Sequence, residues 1–156
     1  MVRLGLTVAL VLLGLDQLTK WAALEILDLA VRPIAVTPFF NLVMVWNRGV
    51  SFGMLDALGA VAPWLLSGLA LAVVIGLLLW LRRSEHAMLA IGLGLVIGGA
   101  LGNVIDRLRY GAVVDFLDFH LAGWHWPAFN LADAGICVGA GLIVVDGLLA
   151  PRRQYT

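Results

Sequence analysis

The run Ala87-Met88-Leu89-Ala90-Ile91-Gly92-Leu93-Gly94-Leu95-Val96-Ile97-Gly98-Gly99-Ala100-Leu101-Gly102-Asn103-Val104-Ile105, followed by Asp106-Arg107, decides what kind of protein this is. From Ala87 to Ile105 the only polar side chain is Asn103. At about 1.5 Å per residue, a helix of that length crosses the hydrocarbon core of a bilayer. Gly94, Gly98 and Gly102 recur at every fourth position, with Gly99 beside them, a spacing that lets a second helix approach closely inside a membrane. The helix-end residues Asn103 and Asp106 are three apart and share a face, and Asp106-Arg107 reads most simply as an ion pair at the helix end.

Working outward, three more apolar stretches complete the pattern, giving spans at about 4–24, 61–81, 87–105 and 134–150. The whole chain is 62% hydrophobic and 13% charged, with a mean hydropathy of +1.01, too apolar for a soluble domain of this size. The expected fold is therefore an all-α membrane protein, one domain over residues 1–156, built as a bundle of four transmembrane helices. Arg3 followed by Leu4 to Leu15 imitates a signal peptide, but no small-x-small site follows and the run continues through Asp16-Gln17-Leu18-Thr19-Lys20. It is read as an uncleaved first span. Trp64 and Trp80 bracket the second span and Trp124 and Trp126 precede the fourth, where indoles serve as headgroup-level anchors.

Four spans place both termini on one side, together with the turn Arg82-Arg83-Ser84-Glu85-His86. Arg3, Arg82, Arg83, Arg152 and Arg153 lie there in short segments against the span ends, where the positive-inside effect is strongest, so that side is expected to be cytoplasmic. Residues 25–60 and 106–133 are then extracytoplasmic. The first of these connections contains Phe39-Phe40-Asn41-Leu42-Val43-Met44-Val45-Trp46, a β-favouring stretch that predicts a small sheet resting on the membrane surface.

Ten basic residues balance ten acidic ones with no basic run, which argues against a nucleic-acid partner. Cys137 is the single cysteine, read as a small apolar core residue, and an intramolecular disulfide is excluded. His86, His120 and His125 lack the His-Glu-x-x-His spacing of a metalloprotease, and none lies in a span to serve Ser51 or Ser67 as a base. No metal or organic cofactor is expected.

Carboxylates are the unusual residues. An ionised group at the centre of a membrane helix costs roughly 3 kcal/mol, so each needs a partner or a reaction. Asp16 precedes Lys20 by four, the favourable order for a pair on one helix face. Asp28 and Asp118 fit solvated surface carboxylates, and Asp146 fits snorkelling or pairing with Arg152 or Arg153. Asp115, in Val113-Val114-Asp115-Phe116, and Asp133, in Phe129-Asn130-Leu131-Ala132-Asp133, stand in apolar or aromatic settings. Two such groups brought together share a proton, one activating a water and the other donating to a carbonyl, as in an aspartic protease. On the residues alone, two separate interfacial carboxylates remain the alternative. A transporter using buried Asp and Lys as a proton relay and a helper subunit packing through its glycines also remain.

The chain resembles the bacterial lipoprotein signal peptidases (signal peptidase II). The resemblance is carried by Asp16-Gln17-Leu18-Thr19-Lys20, by Asn47-Arg48-Gly49-Val50-Ser51-Phe52-Gly53, by Gly98 to Arg107 running on to Gly111-Ala112-Val113-Val114-Asp115-Phe116, and by Phe129-Asn130-Leu131-Ala132-Asp133, in the family's order and spacing. It covers nearly the whole chain. Ala134, where a Ser is common, is the visible difference. The resemblance implies an aspartyl endopeptidase of the bacterial cytoplasmic membrane that removes signal peptides from prolipoproteins, cutting before a diacylglyceryl-modified cysteine. It implies Asp115 and Asp133 as the catalytic pair. Asn103, Asp106, Arg107 and Asn130 would orient that pair, Asp16 and Lys20 would support the polar interior, and Asn47, Arg48 and Gly49 would hold substrate. It also implies a small extracytoplasmic sheet and a mobile segment over the site. The expected partners are the lipid-modified prolipoprotein and membrane lipids, with the protein acting as a monomer.

Overall fold

The computed structural model describes residues 1–49, 59 and 61–149. Val50, Ser51, Phe52 and Gly53 of the second motif, the segment expected over the site, Ala150 and the basic pair Arg152-Arg153 lie outside the described residues.

Four helices have the length and composition to cross a membrane. They are α1 (Val2–Trp21), which continues into a π-helical turn at Ala22–Ile26, α2 (Ala62–Leu81), α3 (Ala87–Tyr110) and α4 (Leu131–Leu149). α3 is the axial helix: α1, α2 and α4 all pack on it, and most of its span is buried while the other three face largely outward. Its small residues permit this. A Cβ at Gly98 would come 2.5 Å from the Ala9 carbonyl oxygen of α1, and one at Gly99 would come 2.5 Å from that of Ala132 in α4. Gly92 and Gly139 face each other across the α3–α4 contact and Gly135 packs on Leu12 of α1, so these two glycines of the fourth span pack within the bundle. Leu93, Ile97, Ala90 and Ala9 form the buried seam, whereas Leu10, Leu69 and Leu148 point away from the bundle. That outward surface suits lipid, in which apolar side chains carry no exposure cost.

The third helix runs five residues past the expected end at Ile105, to Tyr110, and stops at Gly111, whose φ of 69° is the left-handed cap that glycine accepts most readily. Asp106 and Arg107 are thus on the helix proper. The fourth begins earlier than expected, at Leu131, which puts Asp133 in its first turn.

Strands β1 (Ile34–Thr37) and β2 (Phe40–Asn47) form the sheet expected from the first connection. Two further strands were not anticipated: β3 (Val113–Leu121) and β4 (Trp124–His125), which complete an antiparallel sheet in the order β1-β2-β3-β4. β2 pairs with β3 so that Val45 stands opposite Asp115 and Asn47 opposite Val113. The sheet packs on the bundle through Val114 and Phe116 of β3 against Ala23 and Leu29. The end of α3, the start of α4 and the sheet thereby meet at one end of the bundle.

Candidate active site

The site begins with Lys20, which is 3% exposed in the last turn of α1. Its ammonium donates to Asp16 Oδ2 at 2.9 Å, to Asp106 Oδ2 at 2.8 Å and to Asn103 Oδ1 at 3.0 Å. All three protons of the lysine are accounted for, which is what a buried ammonium requires. The expected Asp16–Lys20 pair is present. The expected Asp106–Arg107 pair is replaced: Asp106 turns to Lys20, while its Oδ2 also accepts from the Val114 N–H at 3.1 Å, fastening α3 to β3. Gln17, passed over in the sequence although it stands inside a quoted motif, donates to Asp106 Oδ1 at 3.0 Å.

Asn103 passes this network on to the start of α4. Because Lys20 can only donate, the Asn103 oxygen must face it, and the amide nitrogen is left to donate to Asp133 Oδ1 at 2.8 Å. The α4 N-terminus is closed by a reciprocal cap. Asn130 Oδ1 accepts from the Asp133 N–H at 3.0 Å, and Asp133 Oδ2 accepts from the Asn130 N–H at 3.3 Å. This is the capping-box geometry built from Asn and Asp. Asp16 Oδ1 satisfies another free donor of that helix end, the Ala132 N–H, at 3.0 Å.

Asn130 also joins the two aspartates of interest. Its side-chain nitrogen donates to Asp115 Oδ1 at 2.7 Å while its backbone N–H serves Asp133. Asp115 Oδ2 accepts from Asn47 Nδ2 at 3.0 Å, and Asn47 Oδ1 in turn accepts from the Gly49 N–H at 3.2 Å. Asp115 is 1% exposed. Burial pushes its carboxyl up to about 6; the Asn47 and Asn130 hydrogen bonds pull against this and the neighbouring charge of Asp133 adds to it.

A cavity of ≈ 760 Å³ opens on this cluster, with Asn47, Gly49, Arg107 and Asp133 on its polar side. Arg107 donates to the Asn103 carbonyl at 3.4 Å, and its buried Nε has no partner among the described residues. Arg48 is exposed and does not line the cavity. Trp124 and Trp126, read above as anchors, form its aromatic wall, and Cys137, read as a core residue, is exposed on its flank.

Two other expectations divide. Asp28 is exposed, as a solvated carboxylate should be. Asp118 is not: it is 6% exposed, accepts from Asn41 at 2.9 Å and faces His125 Nδ1 at 2.8 Å. Burial pushes its carboxyl up, but the His125 and Asn41 hydrogen bonds with the His125 and His120 charges outweigh it and hold the group below the usual carboxylate range. At the other end of the bundle, Asp146 lies 3.5 Å from His86. Among the described residues no cluster of His, Cys, Asp and Glu has metal-site geometry.

Residues 8–149 match the family model for signal peptidase (SPase) II. The chain is 52% identical over 153 residues to the lipoprotein signal peptidase of Ralstonia nicotianae, covering 96% of this chain and 86% of that protein. Identity with the lipoprotein signal peptidase of Methylorubrum extorquens is 46% over 156 residues, 99% of this chain and 91% of the other. Among solved structures, a bacterial membrane enzyme determined at 2.3 Å by the in meso method superposes with a TM-score of 0.81 at 25% identity, covering 97% of this chain and 93% of that one. A second, at 1.9 Å, gives 0.75 at 27% identity over 94% and 93%. With a matched family model, close relatives over nearly its full length and the same fold, the chain belongs to the signal peptidase II family of membrane aspartic peptidases.

Proposed function

We propose that this protein removes the signal peptide from prolipoproteins by cleaving before a diacylglyceryl-modified cysteine, with Asp115 and Asp133 activating the attacking water. The observation that carries the reading is the bridge through Asn130, whose side-chain amide donates to Asp115 and whose backbone N–H donates to Asp133, beside a cavity large enough for a peptide segment. The names of the relatives support the substrate class.

In this reading Asp115, with its carboxyl near 6, carries the proton and donates a hydrogen bond to the scissile carbonyl. Asp133, held by Asn103 and by the N-terminus of α4, is the base that takes a proton from water. Attack gives a tetrahedral intermediate whose oxyanion Asp115 stabilises, and the proton taken by Asp133 passes to the leaving amine. Arg107, whose Nε has no partner among the described residues, and Asn47 hold the substrate chain; Asp16, Lys20 and Asp106 fix the frame around Asn103. Arg48 contributes from the rim. The enzyme acts as a monomer in the bacterial cytoplasmic membrane, both termini cytoplasmic and the site near the opposite face.

Asp115→Asn and Asp133→Asn test the reading. Each is expected to lower cleavage of a purified lipid-modified precursor at least about a hundredfold. The fold should survive: asparagine keeps the size and shape of aspartate, and the loss of one matched hydrogen bond at either position costs about 1–3 kcal/mol. Turnover retained in either folded variant removes the two-aspartate mechanism.

A further inference from the structure

Among the described residues four carboxylates are buried, Asp16, Asp106, Asp115 and Asp118, and only Asp118 has no part in the proposed reaction. It stands directly opposite Asn41 in the β2–β3 ladder, and Asn41 Nδ2 donates to its Oδ2 at 2.9 Å. From β4, His125 Nδ1 lies 2.8 Å from Oδ1 and 3.0 Å from Oδ2. An ionised carboxylate only accepts, so His125 carries a proton on Nδ1. His120, two residues further along β3, is paired with His125 across the ladder and stacked on its ring at 4.8 Å. One side chain thus ties β2, β3 and β4 together.

The β3–β4 hairpin needs such a tie. β4 is two residues long, and its ladder consists of the pairs His120–His125 and Leu121–Trp124. Its turn places Ala122 at φ 51° and Gly123 at φ 82°. A two-residue hairpin turn of this kind suits glycine, whereas the Cβ of alanine is strained there. A ladder this short closed by a strained turn does not hold itself. His125 is flanked by Trp124 and Trp126, which wall the catalytic cavity with their rings 5.9 Å apart at 72°. The chain then follows the same cavity through Pro127, Ala128 and Phe129 to Asn130, the residue that bridges the two aspartates. Backbone bonds from Trp126 to Phe119 and between Phe129 and Leu117 continue the register, and Asp118 is the side chain that pins it.

We propose that Asp118 is a positioning residue for the reaction: by holding His125 it fixes the Trp124–Trp126 wall of the catalytic cavity in the place that bound substrate requires. The inference rests on the activity proposed above. Asp118 touches neither the aspartates nor the cavity, so its effect falls on substrate binding and leaves the chemical step alone.

The test uses the full chain in detergent micelles with one lipid-modified precursor peptide. Asp118→Leu removes both acceptors and should raise KM about three- to tenfold with kcat within about twofold, the mark of binding lost equally in ground and transition states. His125→Phe keeps a ring on His120, gives up the donor and should do the same; its side chain is 54% exposed, so the fold does not depend on it. Because one residue acts through the other, the double variant should be no worse than the poorer single, and effects that multiply overturn the coupling. Asp118→Asn still presents an oxygen to His125 once Asn41 turns its amide about, and should return KM to within about twofold of wild type. Should Asp118→Leu fail to fold, the contrast between His125→Phe and Asp118→Asn carries the same comparison. A second readout needs no substrate. The exciton couplet of Trp124 and Trp126 in circular dichroism, identified by its loss in Trp124→Phe, should persist in Asp118→Asn and weaken in Asp118→Leu and His125→Phe. A couplet unchanged in His125→Phe overturns the clamp whether or not precursor is cleaved. A fall in kcat at unchanged KM overturns the positioning role. A wild type that cleaves no precursor removes the activity, and the role of Asp118 in it, even where the couplet responds as expected.

Discussion

Lys20 can stay charged inside the bundle because each of its three protons has an oxygen acceptor, and those acceptors come from α1 and α3. The same economy governs Asp115, with one difference: its two donors, Asn47 and Asn130, are neutral, and burial wins over them. The consequence is a pH dependence with a definite sign. If Asp115 must be protonated, kcat/KM should fall as pH rises through about 6. The Asn47 amide donates to Asp115 and favours its ionised form, so Asn47→Ala should move the alkaline limb to higher pH, while loss of substrate contact raises KM. A limb unmoved or shifted to lower pH in that variant, measured on a lipid-modified precursor, contradicts the assignment of the proton to Asp115. At this scale the sequence was informative where partners are close along the chain. Asp16 and Lys20 are one helical turn apart and their pairing is visible in the spacing. Asp118 was misread because its partner His125 is opposed to it only after β3 and β4 fold back on one another.

At the scale of elements, the helices were legible and two strands, β3 and β4, were not, β3 for a clear physical reason. Membrane helices are long, uniformly apolar segments, and their signal is local. β3 is covered on both faces along Val113–Phe116, so it shows no alternation, and its identity as a strand depends on pairing with β2, some seventy residues earlier in the chain. The ends of α3 and α4 were displaced for a related reason. Their polar terminal turns carry Asp106, Arg107 and Asp133, which look like the start of a loop until the bundle supplies their partners. The contact surfaces of α3 make a direct prediction. Gly98→Ala would set a methyl 2.5 Å from the Ala9 carbonyl oxygen, whereas Gly68→Ala in α2 meets nothing within 4 Å. Overpacking of this kind costs about 1–3 kcal/mol, and at about 2–4 °C per kcal/mol the first variant should lower the midpoint of thermal unfolding in detergent by roughly 2–12 °C. The second should leave it level or slightly higher, because alanine favours a helix over glycine. Equal midpoints for the two variants contradict close α1–α3 packing at Gly98.

Across the whole molecule, the sheet, both aspartates and the cavity beside them gather at one end of the bundle, where α1 and α3 finish and α2 and α4 begin. The other end holds Met1, the turn after α2 with Arg82 and Arg83, and the His86–Asp146 contact. That polarity bears on substrate access. A signal peptide enters the membrane from the cytoplasmic side and its cleavage site ends near the far face, so the end bearing the aspartates must be extracytoplasmic for the proposed reaction. Basic residues crowded against the span ends on the opposite side agree with that placement through the positive-inside effect. The orientation can be read without any activity measurement. On a Cys137→Ala background, Ser84→Cys marks the Arg82–His86 turn and Thr37→Cys marks β1, and a membrane-impermeant maleimide is applied to intact spheroplasts and to inverted vesicles. Thr37→Cys should label in spheroplasts and Ser84→Cys only in inverted vesicles. The reverse pattern would put the catalytic cavity on the cytoplasmic side, where a precursor still being translocated does not present its cleavage site, and the proposed reaction would then have no route to its substrate.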